Sequence, residues 1–185
     1  MARVLGIGVV TVVLALIVAG IGLRLYMERA AESRLRPGED RSLAALRGTL
    51  PGNAFLACPP GYSRVDGAAA SPVFATDADR LYWAFVRLAT GEPRVAIVAD
   101  DPRRRRVALI QRSALFGFPD IVIAEIVAEG ADRSSLALYS RARYGRYDFG
   151  VNRRRVEDWL GRLGAVAQYR PPVPVPGRSV HPGGG

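Results

Sequence analysis

The hydrophobic positions of this chain form one long continuous run followed by several short periodic ones. Residues 4–23 are uncharged and almost wholly apolar. Twenty helical residues rise about 1.5 Å each and span roughly 30 Å, the thickness of a bilayer hydrocarbon core. A signal peptide usually has a shorter apolar region, of about 7–15 residues. The run therefore predicts an uncleaved transmembrane anchor over residues 1–26.

After the apolar run, Leu43, Leu46 and Leu50 recur at helical spacing, so this segment could pack on the domain or on the membrane surface. Residues 27–52 are rich in Ala, Arg, Glu and Leu and predict a stalk or linker, which Pro37–Gly38 interrupts with a turn. The Pro-, Gly- and Ala-rich stretch up to Phe74 predicts an extended coil around the folded domain, which we place at residues 53–166. Residues 167–185 form a Pro/Gly-rich tail, expected to be disordered or to adopt polyproline II structure.

Between these segments the apolar positions recur with helical and then strand periods. A helix should begin with a capping box at Thr76 and Asp79 and end near Ala89. A last helix is predicted over 151–163. Four strands are predicted between the helices, one around Val95–Ala99 and three over 107–113, 121–129 and 135–144. Because the links are short, the strands should be antiparallel. The fold class is α+β, an antiparallel four-stranded sheet with two helices on one face, preceded by one N-terminal transmembrane helix.

Composition narrows the possible chemistry. All 26 basic residues are arginine, and the net charge is +9, a balance found in nucleic-acid binders and in membrane proteins with basic flanks. Cys58 is the only cysteine, which excludes an intrachain disulfide framework and a multi-cysteine metal site. We expect it to be a small buried hydrophobic residue. The only histidine, His181, lies in the tail, so histidine catalysis by the domain is not expected. The sequence predicts no metal and no cofactor.

Arginines concentrate where the fourth strand turns into the last helix. Side chains alternate along a strand, so Arg141 and Arg143 should lie opposite the hydrophobic face that Leu138 occupies. Beyond the turn, Asn152 is a candidate N-cap, and Arg153 and Arg155 follow in the first helical turn. A phosphate or carboxylate there would meet free backbone N–H groups as well as guanidinium groups. The pattern predicts an anion site formed by these residues: Arg141, Arg143, Asn152, Arg153 and Arg155.

A structural interpretation of the same corner remains open. Asp148, Glu157 and Asp158 could neutralise the arginines, with Asp148 capping the helix and Gly145 and Gly150 supplying positive φ. Glu125 poses a similar choice, because it lies among Ile and Val. It could be an acid with a raised pKa, or it could pair with Arg112 or Arg141.

Several short blocks resemble one known family. They comprise SRARYGRYDFGVNRRRVEDWL at 140–160 and, upstream in the right order, Cys58-Pro59-Pro60, Ser71-Pro72-Val73, Glu92-Pro93-Arg94-Val95, Gln111-Arg112-Ser113 and Phe118-Pro119-Asp120. Together they resemble the bacterial and plastid domain-of-unknown-function 1499 family over residues 53–163. The resemblance implies no established activity. Some members have a second cysteine after the first, whereas Cys58 is alone here.

Three functions are compatible with this sequence. The first is a membrane-anchored envelope domain that binds an anionic small molecule, a lipid or an envelope protein without catalysis. The second is an enzyme acting on an anionic substrate, with Glu125 or Asp148 as the acid or base. The third is a nucleic-acid-binding domain, with Tyr139, Tyr144 and Tyr147 among the arginines, which requires a cytoplasmic location.

The direction of the anchor decides between the cellular compartments. Arginines after the apolar run outnumber the one before it, which favours a cytoplasmic domain by the positive-inside rule. A lead of only three residues and the family resemblance favour translocation instead. We expect a single-pass protein of the bacterial inner membrane with a periplasmic domain, for which nucleic acid is not an expected partner.

Overall fold

A mixed sheet with a different layer on each face forms the folded domain. The computed structural model describes residues 2–30 and 34–167. The helices are α1 (Ala2–Ala30), α2 (Ala78–Thr90) and α3 (Val151–Ala167), with a 3-10 turn at Leu43–Ala45. The strands are β1 (Arg47–Gly48), β2 (Ala54–Cys58), β3 (Arg64–Val65), β4 (Ala69–Ala70), β5 (Val95–Asp101), β6 (Arg106–Arg112), β7 (Pro119–Ala128) and β8 (Ser134–Ala142).

Helix α1 carries the long apolar run. Its segment Val9–Tyr26 has a mean hydropathy of 2.3 and none of it is buried in the protein. By length and composition this helix is able to cross a membrane. Residues 31–33 of the expected stalk and the expected tail after Ala167 lie outside the described residues.

The α+β class is confirmed, but the predicted four-stranded antiparallel sheet is wrong in detail. The sheet has six strands in the order β4-β2-β8-β7-β6-β5. The four predicted strands form its antiparallel part, and β2 adds an antiparallel strand beside β8. Strand β4 then pairs parallel to β2, which makes the sheet mixed. The two extra strands come from the stretch predicted to be coil.

Helices α2 and α3 pack together on one face of the sheet. Helix α2 directs Leu81, Phe85 and Ala89 inward at helical spacing, and the three are fully buried. Phe85 meets Trp159 of α3 edge to face, with ring centroids 5.9 Å apart. The N-cap of α2 is Asp77, whose carboxylate accepts from the Arg80 amide at 2.9 Å. Thr76, the predicted cap, instead accepts the Ser134 hydroxyl at its carbonyl.

The second face of the sheet is also covered. Residues 34–50, expected to be a stalk, lie across it, and Leu43 is 2% exposed there. Leu35, Leu46 and Leu50 pack against the same cluster, which includes Leu56 and Tyr139. Both faces of the central strands are therefore apolar, which explains why β7 has hydrophobic residues on both sides.

Candidate functional site

The corner between β8 and α3 is a tight turn that caps its own helix. Gly145 and Gly150 have φ of 84° and 75°, and Phe149 has φ of 53°. The Asp148 carboxylate accepts hydrogen bonds from the amides of Gly150 at 3.1 Å and Asn152 at 2.7 Å. An internal carboxylate thus takes two of the N–H groups that an external anion would have used at the start of α3.

Asn152 lies inside the helix rather than at its N-cap, because α3 begins at Val151. The side chain is fully buried and donates to the Asn53 carbonyl at 2.9 Å. Its oxygen accepts from the Ser140 hydroxyl at 2.6 Å and from Arg155 at 2.5 Å. Asn152 therefore connects α3 to β8 and to the segment that leads into β2.

Arg155 is the centre of a buried polar cluster on the helix face. Its Nε donates to the Gln111 amide oxygen at 2.5 Å, and its Nη1 donates to Ser140 at 2.7 Å. Its Nη2 pairs with Asp120 at 2.7 Å, and the two side chains are only 9% and 13% exposed. Burial raises the pKa of Asp120, and the Arg155 charge opposes that shift. Arg155 is accordingly a link between α3 and strands β6, β7 and β8.

Arg143 is buried on the opposite side of the corner. Its side chain is 1% exposed, and its Nη2 lies 2.6 Å from the Glu39 carboxylate. The same nitrogen donates to the Arg34 carbonyl at 2.8 Å. Arg36, in turn, donates to the Arg143 carbonyl and the Tyr144 hydroxyl. These contacts fasten the chain that follows α1 to the end of β8.

The predicted anion-site arginines are thus divided between the two faces of the sheet. Arg153 lies on the helix face, 63% exposed, with its guanidinium 4.5 Å from the Phe55 ring centroid and 3.7 Å from Glu157. Arg141 is exposed opposite Ala54 of β2, and its charge moderates the burial-raised pKa of Tyr139 on the same face. Arg153 and Arg141 therefore expose their charge, whereas Arg143 and Arg155 do not.

Arg146 is a further exposed arginine of this corner, outside the predicted set. Arg146 lies in the corner, and its carbonyl borders Gly52. Arg141 faces Ala54, so both arginines flank the segment entering β2. Only the position of Arg146 inside the arginine-rich block could have indicated it, because β2 itself was not predicted.

Glu125 forms a second buried polar cluster. Its Oε2 accepts from the Ser42 hydroxyl, the Leu43 amide and the Tyr62 hydroxyl at 2.9, 2.9 and 2.7 Å. Its Oε1 pairs with Arg106 at 2.9 Å. The arginine that pairs with Glu125 is therefore Arg106, which lies directly opposite in the β6–β7 register. The predicted partners, Arg112 and Arg141, were wrong. Burial and the neighbouring carboxylate raise the pKa of Tyr62 to about 12.

Other candidate sites are sparse in the described part of the chain. Within that part, no group of three or more His, Cys, Asp or Glu residues could hold a metal ion. Cys58 is 6% exposed, with its sulfur 3.6 Å from the Ser63 hydroxyl. A shallow groove is lined mostly by apolar residues, among them Phe74, Leu160 and Gly164. It lies along the second half of α3, far from the arginines at the start of that helix.

Comparison with known proteins identifies a family but not an activity. The sequence profile described as "Protein of unknown function (DUF1499)" matches residues 61–163, which is more than half of the chain. No curated protein is significantly similar to it. Among solved structures, the Zhui aromatase/cyclase from Streptomyces sp. R1128 is 14% identical, with a TM-score of 0.30. That alignment covers 52% of this chain and 84% of the other, and its low TM-score supports no conclusion about function.

Proposed function

The chain belongs to the DUF1499 family of proteins of unknown function, and we propose that it is a membrane-anchored domain that binds an anionic ligand without catalysis. The anchor is α1, whose segment Val9–Tyr26 is apolar and unburied. The ligand site is the exposed surface of the corner between β8 and α3. Phosphate or carboxylate is the chemistry that arginine side chains recognise best, because the guanidinium group matches both geometrically.

The division of the arginines is the observation that supports this proposal. Arg143 and Arg155 are neutralised by buried carboxylates and hold the corner rigid. Arg141 and Arg146 remain exposed beside the segment entering β2. A rigid frame with outward arginines is pre-organised for an anion, because little side-chain or loop entropy is lost when the ligand binds. Arg153 adds an exposed charge on the helix face of the sheet.

Ligand binding is tested by titrating pyrophosphate into the full chain in detergent micelles, with calorimetric detection. Arg141→Gln and Arg146→Gln should each weaken binding about two- to fivefold, since an exposed charge pair contributes roughly 0.5–1 kcal/mol. Arg103→Gln is the matched control, an exposed arginine in the β5–β6 turn at the opposite end of the sheet. Equal affinities in the three variants and the unmodified chain would refute the proposal.

We propose further that the domain faces the periplasm from the bacterial inner membrane. The family resemblance motivates this orientation, whereas the arginine count after the apolar run favours the opposite one. Topology reporters fused after Ala165 test it. Activity of the periplasmic reporter is expected, and activity of the cytoplasmic reporter would reverse the assignment and make nucleotides and nucleic acid the ligands to examine.

A further inference from the structure

Exposed apolar and aromatic side chains gather at one end of the sheet. In the β6–β7 loop, Leu115 is 68% exposed and Phe116 is 37% exposed. In the corner between β8 and α3, Tyr147 is 77% exposed and Phe149 is 91% exposed. The two loops leave the sheet on either side of β7, so they lie roughly 10 Å apart at the spacing of neighbouring strands. Such a concentration of exposed apolar groups marks an interaction surface.

Contacts with α1 show which way this end of the domain faces. The Arg24 guanidinium donates to the Ala114 carbonyl at 3.2 Å. Arg24 lies two residues before the end of the apolar segment Val9–Tyr26. The β6–β7 loop is therefore level with the end of the segment able to cross a membrane, and Leu115 is the next residue along the loop.

The chain after α1 rejoins the domain at the same end. Arg34 accepts at its carbonyl from Arg143, and Arg36 donates to the Tyr144 hydroxyl at 3.1 Å, with its guanidinium 5.1 Å from the ring centroid. Both loops are thus close to the point where α1 ends. A membrane that contains α1 would meet these loops before any other part of the sheet.

Charge at this end is complementary to an anionic surface. Three carboxylates nearby are turned inward, because Glu39 pairs with Arg143, Asp120 pairs with Arg155 and Asp148 caps α3. The exposed Arg141 and Arg146 accompany the aromatic side chains. Aromatic rings beside arginines are typical of protein surfaces at the headgroup layer, where rings lie between lipid tails and water and cations meet phosphate.

We propose that this end of the domain rests in the headgroup layer of the bilayer that holds α1. Leu115, Phe116 and Phe149 enter the boundary between headgroups and acyl chains, and Arg141 and Arg146 contact the phosphates of anionic phospholipids. We call the loops 113–118 and 143–150 the membrane-facing loops. The inference rests on the proposed anchoring by α1, and it names phospholipid as the anionic ligand of the corner.

The test uses the full chain in nanodiscs of phosphatidylcholine, with or without phosphatidylglycerol. In a Cys58→Ala background, Leu115→Cys, Phe149→Cys and Ala131→Cys each carry one environment-sensitive fluorophore. Ala131 is the control, because it is exposed in the β7–β8 turn at the far end of the nine-residue strand β8, roughly 30 Å away. A lipid spin label placed just below the headgroup then quenches any fluorophore that lies in the interface.

We expect quenching at positions 115 and 149 to be several times stronger than at 131, and stronger still with phosphatidylglycerol. Quenching at 115 and 149 no stronger than at 131 would overturn the inference. Adding Arg141→Gln and Arg146→Gln should remove the gain from phosphatidylglycerol, and persistence of that gain would show that these arginines do not contact the lipid.

The experiments distinguish a failure of anion binding at the corner from a failure of the membrane-facing loops to contact the bilayer. Quenching at 115 and 149 without pyrophosphate binding in micelles supports the membrane-facing loops and refutes binding of a soluble anion at the corner. Pyrophosphate binding without quenching refutes the membrane-facing loops and leaves the corner as a site for a soluble anion. Of the two tryptophans, Trp159 is buried and Trp83 is exposed, so a shift of the emission to longer wavelength reports exposure of Trp159 and checks that each variant is folded.

Discussion

Replacing Glu125 with alanine should detach the segment that covers the second face of the sheet. The carboxylate accepts hydrogen bonds from Ser42 and the Leu43 amide, which lie in that segment, and from Tyr62. It also balances the Arg106 guanidinium, whose side chain is 14% exposed. One side chain therefore holds residues 42–43 and 62 against β7, so its loss affects distant parts of the chain at once.

The expected loss of stability follows from the donors that lose their acceptor when the Glu125 carboxylate is removed. Removing one partner of a buried ion pair costs about 3–5 kcal/mol, and each neutral donor left without an acceptor costs about 1–3 kcal/mol. Arg106 keeps its hydrogen bonds to the carbonyls of Glu39 and Arg41, and the Ser42 hydroxyl is near solvent. Both facts reduce the summed cost of the donors that lose Glu125. We expect Glu125→Ala to lower the free energy of unfolding by about 3–5 kcal/mol, a large part of the 5–15 kcal/mol typical of a domain. Glu125→Gln keeps an acceptor oxygen and should cost less.

Urea unfolding of the full chain in micelles, followed by the fluorescence of Trp83 and Trp159, measures the loss of stability. Hydrogen exchange at the Leu43 amide measures the detachment, because that N–H donates to Glu125. Glu157→Ala is the control, since Glu157 is exposed and lies 3.7 Å from an exposed Arg153, a pair worth at most about 1 kcal/mol. A loss in Glu125→Ala no larger than in the control, or a Leu43 amide that remains protected, would contradict this role of Glu125.

Further predictions concern the corner and the alkaline limit of stability. Arg155→Met leaves the buried Asp120 carboxylate unpaired and should cost about 3–5 kcal/mol at neutral pH. The loss relative to the unmodified chain should shrink as acid protonates Asp120, and a pH-independent loss in urea titrations would contradict the pairing. Gly150→Ala should destabilise the domain by about 1–2 kcal/mol because φ is 75° there, whereas Gly161→Ala, in open space inside α3, should stabilise it by about 0.5–1 kcal/mol. Thermal unfolding midpoints that shift in the same direction in both variants would refute this. The pKa of Tyr62 rises from 10.0 to about 12 on folding, so its contribution to stability is complete below pH 10 and is lost as the pH rises through 12. Tyr62→Phe should lessen that alkaline loss in a pH series of denaturation midpoints, and an unchanged alkaline profile would contradict the role of its hydrogen bond to Glu125.

The helices and the four longest strands follow from local pattern. Helix α2 has an apolar residue on every helical turn, and β8 alternates Leu136 and Leu138 with residues for the other face, so the period alone identifies each element. Strand β2 was not predicted, because its five residues, Ala54–Cys58, lie between Pro51-Gly52 and Pro59-Pro60. These residues also show no alternation of apolar and polar side chains. A strand this short is stable only beside a partner, and its partner β8 follows it by more than seventy residues.

By itself the sequence determined the apolar span of α1, the α+β class and the concentration of arginine at the end of β8, because each depends on composition or spacing within a short stretch. Only the tertiary structure decided which arginines are exposed. The sequence does not distinguish Arg143 and Arg155 from Arg141 and Arg146. In the fold, Glu39 pairs with Arg143 from 104 residues away, and Asp120 pairs with Arg155 from 35 residues away. A guanidinium can be buried only where a carboxylate compensates the lost hydration, and that pairing depends on how the segment after α1 crosses the sheet.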